Sequence, residues 1–153
     1  MVHVDVDNRS AQPVDELRLV AQAQFILDRL GLHPDTELAI SLVDPGEIAE
    51  LHERWMDLPG PTDVLSFPMD ELRVPAPGQP AEPGVLGDVV MCPQVAAEQG
   101  EQAGHGLVGE LELLLTHGIL HLLGHDHAEP EEHAVMFALQ DELLAGWRAS
   151  GSL

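Results

Sequence analysis

Between Leu107 and Leu123 the chain carries leucine or isoleucine at positions 107, 111, 113, 114, 115, 119, 120, 122 and 123, with no proline to interrupt them. Wound into a helix, such a segment has almost no polar face, so other elements must surround it. Its most apolar part, Leu111 to Leu123, falls well short of the roughly 18–20 residues a membrane span needs, and no membrane association is expected. Two of its residues, His117 and His121, are imidazoles that would be carried into the interior. Burying a neutral imidazole without a partner is costly, so the fold must be built around this helix and must also give its histidines something to bind.

The 153 residues are enough for one domain, expected to span 1–153, with a core large enough to enclose that helix. An apolar fraction of 44% reads as globular despite a net charge of −21, and protonating all nine histidines would still leave about −12. That charge argues against a generic polyanion-binding surface. The basic residues, Arg9, Arg18, Arg29, Arg54, Arg73 and Arg148, are scattered singly without any lysine, so no local nucleic-acid footprint is visible. The single cysteine, Cys92, rules out an intrachain disulfide framework and fits a reducing compartment. Met1 to Asn8 alternates and already contains Asp5 and Asp7, unlike an export signal, so a cytoplasmic location is expected.

Val2, Val4 and Val6 alternate with polar residues as in a strand with one buried face. From Val14 to Leu30 a helix is expected, with Leu17, Val20, Ala21 and Phe25 on its apolar face and Gly31 as its stop. Leu38 to Val43 reads as a second strand. Asp44-Pro45-Gly46-Glu47 then has the pattern of a capping box, starting a short helix to about Trp55. Val64 to Phe67 and Gly87 to Met91 are further strands, separated by a loop rich in proline and glycine, from Pro75 to Gly84, that can propagate neither helix nor central strand. A helix should follow Pro93 to about Gln102, break at Gly104 and Gly106, resume from Leu107, and be followed by a last helix from near Pro130. The class is α/β or α+β: a small sheet of about four strands packed with about five helices, one of them a zincin-like metal helix.

The chemistry is concentrated in His117-Gly118-Ile119-Leu120-His121-Leu122-Leu123-Gly124-His125-Asp126-His127. Positions four apart share a helical face, so His117 and His121 can converge on one ion. Gly124 can take the left-handed conformation that ends a helix, turning the chain back so that His127 reaches the same ion. His125 is the alternative third ligand, with less chain available for the turn. Three imidazoles leave one position open, the catalytic pattern, in which the metal raises the acidity of a water there. Zinc suits such a set, although nickel, copper and iron accept it too. Glu110, seven residues before His117 and on the same face, is a candidate partner for a ligand's second nitrogen. The frame also fits the metzincin peptidase pattern H-E-x-x-H-x-x-G-x-x-H at every named position but one: Gly118 stands where a peptidase has its general base, which disfavours peptide hydrolysis.

The segment HGILHLLGHDH resembles the H-G-x-L-H-L-x-G-Y-D-H hallmark of the YbeY endoribonucleases. Pro61-Thr62-Asp63-Val64-Leu65-Ser66-Phe67-Pro68 is similar to that family's P-T-D-V-L-S-F-P stretch, and Gly87-Asp88-Val89-Val90-Met91-Cys92 to its G-D-I-x-I-x segment, in the same order along the chain. The resemblance covers roughly Leu38 to Leu144. It implies an α/β fold with the zinc helix near a small sheet, one Zn2+ held by His117, His121 and His127 plus water, and cleavage of single-stranded RNA. It further implies a role in ribosomal RNA processing, at the 3′ end of the small-subunit 16S rRNA, and in ribosome quality control, with rRNA precursor as substrate and ribosomal proteins or an assembly GTPase as partners. Two positions depart from the family pattern. His125 stands in place of tyrosine, and Met56 in place of an arginine; Arg54, two residues earlier, is the candidate to take that arginine's catalytic role. Asp126 can orient an imidazole or start a turn, Thr62 and Asp63 can shape the turn before their strand, and Cys92 is expected to be inert. The alternatives are a non-catalytic, zinc-containing ribosome assembly factor with a closed four-ligand site and, less favoured, a zinc peptidase-like hydrolase.

Overall fold

The elements follow one another as β1 (His3–Asn8), α1 (Glu16–Arg29), β2 (Glu37–Leu42), α2 (Pro45–Met56), β3 (Val64–Pro68), β4 (Val85–Met91), α3 (Pro93–Ala103), α4 (Gly106–Leu122) and α5 (Pro130–Ala149) in the computed structural model, which describes residues 1–126 and 128–150. The sheet order is β1-β2-β4-β3, with β1, β2 and β4 parallel and β3 antiparallel to β4 along one edge. This is the expected α+β architecture. Among the described residues, no helix is long and apolar enough to cross a membrane.

The apolar segment forms α4, and its all-round burial follows from its position. Leu111, Leu114, Leu115, Ile119, Leu120 and Leu122 belong to one core with Ile26 and Leu27 of α1, Ile40 and Leu42 of β2, Val89 and Met91 of β4, and Met136 and Leu143 of α5. The opposite face of the sheet carries a smaller cluster in which Ile48 of α2 meets Val43, Leu65, Val90 and Cys92. Even the acidic residues of α4 are enclosed. Glu112, 5% exposed, accepts from Trp147 Nε1 at 2.7 Å and from Arg18 Nη2 at 3.2 Å, tying α1, α4 and α5 together. A buried carboxylate is tolerated when charged and polar donors replace its water in this way.

Two local expectations are corrected. The buried face of α1 is Leu19, Gln22, Ala23, Ile26 and Leu27, whereas Leu17 is 81% exposed. Two apolar stripes overlap on this helix, and the one carrying the adjacent Ile26 and Leu27 faces the core. Asp44 stands at the N-cap of α2, but its side chain forms no cap bond; Oδ1 instead accepts from the Ala11 N–H at 2.9 Å, while Glu47 pairs with Arg9 at 2.6 Å. The capping-box residues are thus used to fasten the segment after β1.

Cys92 is fully buried at the start of α3, and desolvation pushes its thiol pKa up. Because the thiolate is the reactive form, native protein should react with a disulfide reagent on the order of a hundredfold more slowly than urea-unfolded protein. Comparable rates in the two states, followed by thionitrobenzoate release, would contradict this.

Candidate metal centre and cleft

His117 and His121 lie one turn apart on α4, both half-buried, with their Nε2 atoms 3.1 Å from each other. The Nδ1 of His117 is 2.9 Å from Gln140 Oε1 on α5. A carbonyl oxygen only accepts, so Nδ1 carries the proton and the Nε2 lone pair is directed at His121. Two nitrogens each about 2.0–2.1 Å from one tetrahedral ion lie about 3.3 Å apart, close to the separation seen here. The separation of the pair therefore fits a metal, with Gln140 fixing the tautomer of His117.

The turn after α4 also takes the expected form. Gly124 has φ of +95°, its N–H donates to His121 O at 3.0 Å, and the His125 N–H donates to Leu120 O at 3.0 Å, so the helix ends and the chain reverses. His127, the expected third ligand, lies outside the described residues. Among the described residues, no group of three His, Cys, Asp or Glu side chains is placed to hold a metal.

Glu110 does not support His117. It approaches His105 Nε2 at 2.6 Å and, with the Gln99 amide turned to satisfy both ends, accepts from that amide at 3.0 Å, so it belongs to the α3–α4 junction. Seven residues of helix rise by about 10 Å, which puts a shared face beyond reach of a shared bond. Gln140 was missed because it comes from another helix. Its one signal is an amide at helical spacing among Met136, Leu143, Leu144 and Trp147, all buried with it. Gln140→Leu should lower metal affinity by roughly 10–100-fold while the fold persists, as such supporting partners do elsewhere. Competition with a chromophoric chelator measures this, and wild-type affinity in the variant would remove Gln140 from the site.

The histidine pair opens into a cleft of about 640 Å³, also lined by His52, Met56, Leu58, Thr62, Asp63 and residues of β3. Because β3 is an edge strand, the cleft runs along its unpaired side. Asp63 Oδ1 accepts from the Val64 N–H at 2.8 Å, shaping the start of that strand. Asp88 lies within β4 opposite Phe67 and is not a turn residue. From α2, His52 and Met56 reach the cleft lining, whereas Arg54 is exposed with its guanidinium 5.9 Å from the Trp55 ring centroid. Among the described residues lining the cleft there is no arginine.

Gly118 is required by packing. Its carbonyl accepts from Ser66 Oγ at 2.9 Å, and a Cβ built on it would stand 2.9 Å from Val89 Cγ1, 3.2 Å from Ser66 Oγ and 3.4 Å from Val64 Cγ2. The helix lies directly on β3 and β4 at the point between its two histidines.

The family model described as Endoribonuclease YbeY matches residues 5–148. The endoribonuclease YbeY of Thermobifida fusca is 65% identical over 147 residues, covering 96% of this chain and 95% of that one. Its namesake from Nocardioides sp. is 60% identical over 146 residues, covering 95% and 98%. The solution structure of TM1509 from Thermotoga maritima superposes with a TM-score of 0.62 at 25% identity, over 99% of this chain and 95% of that one. With a match that takes in the histidine helix, the β3 edge and Gln140 alike, the chain belongs to the YbeY family.

Proposed function

We propose that the protein is a zinc-dependent, single-strand-specific endoribonuclease acting in ribosomal RNA processing, at the 3′ end of small-subunit 16S rRNA, and in ribosome quality control. The observation that carries this reading is the convergence of His117 and His121 through Nε2 at 3.1 Å on an open cleft, in a chain whose relatives are named endoribonucleases. His117, His121 and His127 would hold the ion. When bound, zinc supplies a Lewis acid that stabilises charge developing on a phosphoryl oxygen.

The chain's own residues then divide the work. Gln140 keeps the His117 proton on Nδ1 and the ring aimed at the site. Ser66 anchors α4 to β3 through the Gly118 carbonyl, holding the pair against the cleft floor. The unpaired side of β3 gives an extended single strand room to lie along the cleft. The opening also argues for a site accessible to substrate and against a closed structural one. Arg54 is exposed outside the lining, beside Trp55.

Net charge remains the obstacle to RNA. A chain of −21 repels a polyanion at long range, so a positive surface from a ribosomal protein or an assembly GTPase would speed the approach. The test is cleavage of a structured rRNA 3′ precursor by zinc-loaded and chelator-stripped protein, with and without small-subunit particles. Cutting by the loaded form alone is expected. A folded, loaded protein that cuts nothing even on particles would overturn the nuclease reading in favour of an assembly factor.

A further inference from the structure

The chain has only five Phe, Trp and Tyr residues. Phe25, Phe67 and Phe137 are half-buried and Trp147 is 4% exposed, but Trp55 is 62% exposed. It occupies the last turn of α2, between His52 and Met56, which line the cleft, and its ring meets Phe67 of β3 edge-on at a centroid distance of 6.3 Å. That contact braces the indole against the strand and leaves most of its surface uncovered. Met56 and Leu58, which line the cleft, are 44% and 52% exposed. Arg54 places its cation 5.9 Å from the same ring centroid.

We propose that Trp55, exposed beside the cleft and outside its lining, is a base-stacking platform, taking an unpaired base of the RNA strand while Arg54 meets an adjacent phosphate. Single-stranded RNA is recognised by splaying bases onto exposed aromatic rings, and each stack is sequence-tolerant because every base has a π-face. A flat ring beside a cation fits a nucleotide, which is apolar on its base faces and anionic on its phosphate. The inference rests on the proposed RNA substrate, but it is read by binding, without turnover.

Trp55 and Trp147 are the only tryptophans, and Trp147 is buried with its Nε1 held by Glu112, so quencher-accessible emission reports on Trp55. The experiment titrates single-stranded oligoadenylate, and an abasic strand of equal length and charge, into the protein. Oligoadenylate should quench the exposed emission and protect it from acrylamide; the abasic strand should not. Trp55→Ala should weaken oligoadenylate binding by about tenfold to a hundredfold, with abasic binding unchanged, and Trp55→Phe should recover most of the loss. Circular dichroism confirms that each variant is folded. Equal effects of the two strands, or wild-type oligoadenylate affinity in Trp55→Ala, would overturn the proposal. So would concentration-dependent dimerisation in wild type that Trp55→Ala abolishes. A protein that stacks the base but never cuts RNA would sink the nuclease reading and leave the platform standing; one that cuts RNA with unaltered binding in Trp55→Ala would do the reverse.

Discussion

His121→Ala is expected to abolish zinc-dependent RNA cleavage, by at least about a thousandfold, while leaving the fold in place. Removing a supporting partner costs roughly 10–100-fold at metal sites, and losing a direct ligand from a set of three must cost more. The side chain is half-buried, meets His117 and lines the cleft, so its loss opens no large void in the core that α4 shares with β2 and β4. Thermal unfolding separates the two consequences. An ion that binds only the native state stabilises it by about 2.7 kcal/mol at a hundredfold excess over Kd, so zinc should raise the wild-type melting temperature and leave that of the variant unchanged. Retained zinc stabilisation together with retained cleavage in His121→Ala would show that the histidine pair is not the metal centre.

What the sequence discloses and what it withholds divide along a physical line. Period and composition are properties of one segment, and they were enough to place α4 inside, to put His117 and His121 on one face, to end the helix at Gly124 and to recognise all four strands. Which neighbour covers a given face is a property of two segments. The Leu17 stripe and the Ile26 stripe of α1 are both apolar, and only packing against the sheet exposes Leu17 and buries Ile26. Glu110 shares the face of His117 yet is bound at the α3–α4 junction, while the partner that orients His117 comes from Gln140 across the helix pair. Asp44 has the right spacing for a cap and the better offer from Ala11. The Met56 position, where the family pattern has arginine, lines the cleft itself, and Arg54 lies outside that lining beside Trp55. A residue's distance along the chain from a motif does not tell which side of a helix end it will occupy.

Gly118→Glu would complete the peptidase motif in sequence, and it should cost the protein about 3 kcal/mol or more of stability without conferring any peptide hydrolysis. In a peptidase the glutamate at this position faces the substrate. Here the position faces the sheet, where a first carbon would already stand 2.9 Å from Val89 Cγ1 and 3.2 Å from Ser66 Oγ. Both neighbours are on strands, so relief requires α4 to move off β3 and β4 and to lose the Ser66 bond to the Gly118 carbonyl. Overpacking of this kind costs about 1–3 kcal/mol, and the carboxylate adds the expense of a charge driven into the packed contact of α4 with the sheet. Gly118→Ala isolates the first contribution and should fall in the 1–3 kcal/mol range alone. Chemical denaturation of the three proteins gives both numbers, and a mixed peptide library tests the activity. A Gly118→Glu protein as stable as wild type that cleaves peptides would mean that the glycine marks a lost catalytic base. The expected result, a weakened fold and no peptide cleavage, makes it a contact surface: the glycine lets the histidine helix lie close enough to β3 for its two imidazoles to face the strand edge along which RNA is proposed to run.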